Sequence, residues 1–194
     1  MCFTSTNVAV VYKSRYGSTK EYAQWIAEEI ERDLFEAASV TGQYLEQYDT
    51  IIYGGGLYAV GILGIKLIRN HFESLKDKNI IVFSVGLAKE SPEAMEDIKE
   101  KNFSEEMQQT ELIMLRGAFD LEKLSFSDRM MMKALKRKIL LKDPKTLNEE
   151  ELGILQCFEN PVNMIRRESI QPIIDRVRKE QRIPAECKDL SGKE

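Results

Sequence analysis

The change of hydrophobic period between residues 7 and 34 constrains this chain more than any other feature. Asn7 to Tyr12 read NVAVVY, a β-branched apolar run of the kind found in a strand buried on both faces. After the loop Lys13 to Ser18, the stretch Thr19 to Leu34 has helical spacing. Tyr22, Ala23, Ile26, Ala27, Ile30 and Leu34 share one face, and acidic residues fill the other. A strand feeding straight into a helix rejoins its sheet by a crossover, which predicts parallel strands covered on both sides.

The alternation repeats along the chain. A weak strand is expected over Phe35 to Val40, and a strong one over Thr50 to Tyr53, ending in Gly54, Gly55 and Gly56. A helix is expected from near Leu63 to Leu75, then a buried strand at Asn79 to Val85 (NIIVFSV), closed by Gly86. Ser91 and Pro92 form a helix start, with Ser as cap and Pro at the first helical position. Glu111 to Leu115 is the fifth strand, and the last helix carries Ile170, Ile173, Ile174 and Val177. The fold class expected is α/β, a doubly wound five-stranded parallel sheet in the order 2-1-3-4-5. Such sheets bind ligands beyond the strand ends, where the first and third strands part. That rule selects the loops after Tyr12 and Tyr53.

About forty residues, Phe119 to roughly Asn160, exceed this plan, and a structureless loop of that length would be unusual. Asp128 to Leu141 reads as an amphipathic helix. Met130, Met131, Ala134, Leu135 and Leu141 gather on one side, and Arg129, Lys133, Lys136 and Arg137 on the other. The expected organisation is one domain over residues 1–182, with this helical insertion between strand five and the last helix. A polar, frayed tail is expected over 183–194.

The loop Lys13-Ser14-Arg15-Tyr16-Gly17-Ser18-Thr19 sets three hydroxyls and a glycine at a helix N-terminus. Backbone N–H groups there lack partners, and with the helix dipole they attract an anion. Neither GxxxxGK[ST] nor GxGxxG is present, so a monophosphate suits the loop better than a triphosphate or dinucleotide; a plain Ser/Thr-capped helix start is the alternative. The net charge of −4 argues against nucleic acid as the main partner. Cys2, Cys157 and Cys187 lie far apart without a CxxC pair, which suits free thiols in a reducing cytosol. His71 has no surrounding carboxylates in sequence, so no metal site is expected. Neither a secretory leader nor an apolar run of about 18 residues is evident, so the expected location is cytoplasmic and any membrane contact peripheral.

Ser14, Gly17 and Thr19 match the flavodoxin motif [ST]-x-x-G-x-T, whose loop wraps the phosphate of FMN. The resemblance spans roughly Asn7 to Val177 and implies FMN as cofactor, with Ser14, Arg15, Tyr16, Gly17, Ser18 and Thr19 around its phosphate. Gly55 to Gly61 (GGLYAVG) resembles the loop after strand three in flavodoxin-like, menaquinone-dependent protoporphyrinogen oxidases, which implies Tyr58 as flavin neighbour. Gly56, Leu57, Gly86 and Leu87 complete the expected cofactor set. Arg116-Gly117-Ala118-Phe119-Asp120, followed by Ser127 to Lys133 (SDRMMMK), is similar to the RGALDY…DRFMIK stretch of that family's insertion. The resemblance implies an oxidoreductase that takes hydrogens from a porphyrinogen and passes electrons to a quinone or other acceptor. No residue stands out as a catalytic acid or base.

Two departures accompany it. Ser84 to Glu90 offers no second aromatic to cover the flavin, and Asn148 to Glu151 has no counterpart. The alternatives are an electron carrier between protein partners, and a binding module without flavin, which the intact loop opposes. For the insertion helix over 128–141, Lys133, Lys136, Arg137 and Lys138 either meet anionic lipid headgroups or form a solvated basic face. Trp25 is expected to be buried in the first helix, and Met130 to Met132 to fill core.

Overall fold

β1 (Val8–Lys13) sits between two other strands, which is why its residues through Tyr12 are buried without alternation. The computed structural model describes residues 7–58, 60–147 and 149–181. After β1 come α1 (Ser18–Ile30), β2 (Asp33–Glu36), the single turn α2 (Gly42–Leu45), β3 (Thr50–Tyr58) and β4 (Gly61–Ile62). The single turns α3 (Lys66–Arg69) and α4 (Phe72–Leu75) follow, then β5 (Asn79–Gly86), α5 (Pro92–Asn102) and β6 (Glu111–Arg116). Five strands run parallel in the order β2-β1-β3-β5-β6, with β4 folded back antiparallel onto β3. This is the doubly wound α/β sheet expected, the fourth and fifth parallel strands being β5 and β6.

Each strand feeds two cores. Ala9, Val11, Ile51, Tyr53 and Val82 pack on one face with Ile68, Leu75 and Ile98. Val8, Val10, Ile52, Ile81 and Phe83 pack on the other with Tyr22 and Ile26 of α1 and Ile173 and Ile174 of α8 (Gln171–Gln181). Fully burying side chains of this size stabilises the fold by about 1.5–3 kcal/mol each.

Several boundaries differ from the sequence reading, for local reasons. α1 stops at Ile30 because Glu31 turns left-handed (φ 53°), and its N–H reaches back to Ala27 and Glu28; Leu34 therefore falls in β2. β2 ends at Glu36, where both the N–H and the hydroxyl of Ser39 donate to the Glu36 carbonyl. The helix expected over Leu63 to Leu75 is two separate turns, broken where His71 leaves helical geometry (φ −117°, ψ 13°). β3 runs straight through its three glycines to Tyr58, pairing Gly54 with Phe83 and Gly56 with Val85 of β5. Gly54 makes room rather than a turn, since a Cβ there would lie 2.1 Å from Phe83 Cζ.

Past β6 the chain forms β7 (Ala118–Phe119), α6 (Phe126–Leu140) and α7 (Glu149–Cys157). It then returns through β8 (Val162–Asn163), which pairs antiparallel with β7. The insertion thus leaves and rejoins at one point. α6 buries only Asp128 and Ile139, so the expected division into an apolar inward side and a basic outward side does not hold. Phe126, Met130, Leu140 and Leu141 face outward with Lys133 and Arg137, and Met131 and Leu135 are also exposed. Trp25 is half-buried, edge-on to Tyr22 and beneath Arg167. Cys157 is buried and free. Cys2, Cys187, Ala59, Asn148 and the tail 183–194 lie outside the described residues.

Gly54→Ala forces a methyl into the Phe83 ring, which is itself fully buried. We expect a loss of about 1–3 kcal/mol, the cost of overpacking a filled core, read from the urea midpoint at unchanged m-value.

Candidate functional site

The β1–α1 loop and the β3–β4 hairpin leave the sheet side by side, and between them lies a cavity of about 190 Å³. Ser14, Arg15, Tyr16, Ser18 and Thr19 line it from the first loop, Gly56, Leu57 and Tyr58 from the second, and Gly86 and Leu87 from the end of β5. Of the residues expected from sequence, Gly17 alone does not line this space. It supplies the backbone turn that aims α1 at the cavity, with φ at +101°.

The start of α1 is built to face an anion. Gly17 caps the helix without any side-chain hydrogen bond to the first N–H groups, and a Cβ placed on it would meet nothing within 4 Å. Its own N–H donates to Ser14 Oγ at 3.0 Å, which folds the loop back. Ser18 Oγ accepts from Ala118 N at 3.1 Å, tying the loop to the insertion. Thr19 is buried, and its hydroxyl has no hydrogen bond among the described residues. Unpaired N–H groups at the positive end of a helix, with a free hydroxyl beside them, suit a phosphate.

The hairpin is held by a residue that periodicity does not reveal. Asn102, nearly fully buried at the end of α5, accepts from Ile62 N at 2.6 Å and donates to Val60 O at 2.8 Å. It thereby fixes Val60 in the left-handed region (φ 66°), a conformation costly for a β-branched residue. Leu63 N closes the loop onto Gly56 O at 3.0 Å.

The insertion roofs the cavity through Phe119, Leu124, Asp128, Met131 and Met132. Asp128 is the clasp. Its side chain is 3% exposed and takes Arg15 Nη2 at 2.9 Å on Oδ2 and the Tyr58 hydroxyl at 2.8 Å on Oδ1. Tyr16 also donates to Oδ2, and Asp128 N donates to the helix cap Ser125 Oγ. One carboxylate therefore joins the β1–α1 loop, the hairpin and the insertion helix. The Tyr16 hydrogen bond, reinforced by Tyr58, Ser125 and Arg15, holds the Asp128 carboxyl below the usual range despite desolvation. Its own hydrogen bond to Asp128 pushes the Tyr58 phenol up. Asp128 was visible in sequence only as the start of a helix matching an insertion motif; its three cross-chain partners come from distant segments and leave no local pattern.

A family model described as a flavodoxin domain matches residues 9–146. Among solved structures, a flavodoxin from the domain Archaea shares 18% identity, covering 64% of this chain and 90% of that one, at a TM-score of 0.40. A WrbA-like flavodoxin from Agrobacterium tumefaciens shares 19% over 64% and 88%, also at 0.40. A flavoprotein from Bacteroides eggerthii shares 15% over 71% and 100%, at 0.42. No curated protein matches the chain.

The lowered Asp128 pKa fixes how the clasp responds to pH. A carboxylate depressed by folding adds stability above its unfolded pKa of about 3.9, lost as pH falls through the lower folded value. Hydrogen–deuterium exchange protection of residues 126–140, corrected for intrinsic rate, should be flat from pH 8 to 5 and fall only in stronger acid. Asp128→Asn keeps the shape but loses the ion pair, and should exchange faster across this helix at pH 7; equal protection would remove the clasp.

Proposed function

Because the chain belongs to the flavodoxin domain family, whose cofactor is FMN, we propose that it is an FMN-dependent oxidoreductase acting on a porphyrinogen and delivering electrons to a quinone. The observation that carries this reading is the position of the insertion. The segment resembling protoporphyrinogen oxidases, Arg116 to Lys133, covers the cavity that the phosphate-facing loop and the hairpin line. A carrier that meets only protein partners has no need of a helix folded over its cofactor.

The residues present fit FMN by donor type. The uncapped start of α1, with Ser14, Ser18 and the unbonded Thr19 hydroxyl, takes the phosphate. Leu57 and Tyr58 on one side and Leu87 on the other bound the space for the ring, with Gly86 beside them. When bound, FMN supplies the two-electron redox chemistry of the site. The chain's own work is to position the group and exclude water. Met131, Met132, Leu124 and Phe119 give an apolar roof, and Asp128 holds that roof down through Arg15, Tyr16 and Tyr58.

The quinone places the acceptor at a lipid surface. The outward face of α6 suits peripheral contact there, with Phe126 and Leu141 more than 80% exposed beside Lys133 and Arg137. No helix among the described residues is long and apolar enough to cross a membrane.

Two measurements test the proposal. Gly17→Asp sets a carboxylate in the open space before α1 and should weaken FMN binding by more than about a hundredfold, or about 2.7 kcal/mol. Gly17→Asn has the same shape without the charge and should retain most of the affinity; equal losses would move the phosphate elsewhere. The FMN-loaded protein should then oxidise a porphyrinogen with a quinone as acceptor. Failure of that turnover, alongside rapid exchange of single electrons with a redox protein, would favour the carrier reading.

A further inference from the structure

A second cavity, about 420 Å³, lies along the open edge of β6, between that strand and the segment leading into α8. Its volume falls within the range of about 300–1,000 Å³ typical of small-molecule sites. Ile113, Leu115, Met164 and Pro172 give it apolar walls, and Arg116 and Arg166 provide cationic groups.

One buried hydroxyl joins the main chains at the two arginines. Tyr22, on α1, is fully buried; its OH donates to the Arg116 carbonyl at 2.8 Å and accepts from Arg166 N at 3.2 Å. Residues fifty positions apart in sequence are thus fixed side by side by a third element. Arg116 spends its Nε on the Leu87 carbonyl at 3.3 Å, leaving both Nη groups. Arg166 spends Nη1 on the adjacent Ile165 carbonyl at 2.8 Å. Neither guanidinium forms an ion pair among the described residues, although Glu90 stands on the cavity wall. Two unpaired guanidinium forks in one half-apolar cavity match a carboxylate attached to an apolar body.

The cavity also adjoins the first one. Arg116 bonds Leu87, Gly117 N donates to Gly86 O at 2.7 Å, and Gly86, Leu87 and Gly117 line the site beneath α6. A ligand anchored here is separated from that site by a single layer of backbone.

We propose that Arg116 and Arg166, which line one cavity and whose main chains the Tyr22 hydroxyl joins, bind the carboxylate of an amphipathic organic acid in the cavity along β6. That this acid is a propionate arm of the porphyrinogen rests on the function proposed above; the anion site itself does not. Arg116 and Arg166 are specificity residues, and no chemistry is assigned to them.

The test uses FMN-loaded protein and two probes, coproporphyrin followed by its own fluorescence anisotropy, and decanoate followed by calorimetry. Arg166→Gln should weaken both by about tenfold or more, and Arg116→Gln with Arg166→Gln by about a hundredfold, the loss expected for charge-assisted hydrogen bonds. Lys66→Gln, which removes an exposed positive charge elsewhere, should change neither. Equal FMN content and urea midpoint in all variants separates lost binding from lost folding. Decanoate binding that depends on the arginines, without coproporphyrin binding or porphyrinogen turnover, would uphold the anion site and remove the porphyrinogen reading. Porphyrinogen turnover with unchanged KM in the double variant would remove the propionate assignment. No saturable binding of either acid to the wild type, or decanoate binding unchanged in the double variant, would overturn the inference.

Discussion

The parting of β1 and β3 is the constraint from which the rest of the structure follows. A central strand with parallel neighbours on both sides must send its chain to one face, while the adjacent strand sends its own to the other. At the ends of β1 and β3 this leaves a crevice that no strand can fill. The helix that follows β1 then points its N-terminal N–H groups into that crevice. An anion site arises there from topology and the backbone, before any side chain is chosen. Gly17 provides the left-handed turn that directs α1, and Thr19 adds a hydroxyl. The side chains refine a site whose place the sheet had already determined.

What the family scaffold leaves open, the insertion closes. Its exit and return at β7 and β8 lie beside Gly117, and Ser18 Oγ accepts from Ala118 N, so the roof is hinged on the phosphate-facing loop itself. Asp128 supplies the other fastening. Arg15 lies 5.1 Å from the Tyr58 ring centroid and ion-pairs with Asp128, so loop, hairpin and roof meet through one cation and one anion. Pairing Arg15 with Asp128 also limits what Arg15 can offer a phosphate. Under the function proposed above, a phosphate would rely on the start of α1 and its hydroxyls instead.

The parts of this structure legible in sequence are those encoded by local periodicity. β1, β5 and β6 are unbroken apolar runs, and the Ser91-Pro92 helix start is a local signal; all appear where the spacing places them, Ser91 Oγ accepting from Ala94 N at 3.1 Å. The loops at the strand ends follow from topology, which is why most of the expected cofactor set surrounds one cavity. Period fails where a polar contact overrides it. α6 was expected to turn its methionines inward as a stripe, yet the inward direction is set by Asp128, which three partners from other segments draw down. Asn102 was unreadable for the same reason: a buried amide at a helix end carries no periodic signature, and its partners at Val60 and Ile62 lie forty residues away. The three glycines after Tyr53 suggested a strand end, whereas β3 runs on through them; Gly54 is space for Phe83 and Gly55 for Ile62.

The distribution of charge bears on how such a site can be selective. The chain carries a net −4, yet Arg15, Arg116 and Arg166 all line the two neighbouring cavities. Among the described residues, Arg15 is the one of the three that forms an ion pair, with Asp128. An anion approaching an acidic protein is repelled at long range and attracted only at close quarters, since charges beyond about 8 Å are largely screened at physiological salt. Recognition at Arg116 and Arg166 is therefore short-ranged and geometric, decided by whether a carboxylate can reach both forks while its apolar body lies against Ile113 and Met164. A small inorganic anion satisfies the charge but not the walls, and a neutral apolar molecule satisfies the walls but leaves two cations unpaired. The proposed acid meets both requirements, one backbone layer away from the cavity proposed for the cofactor.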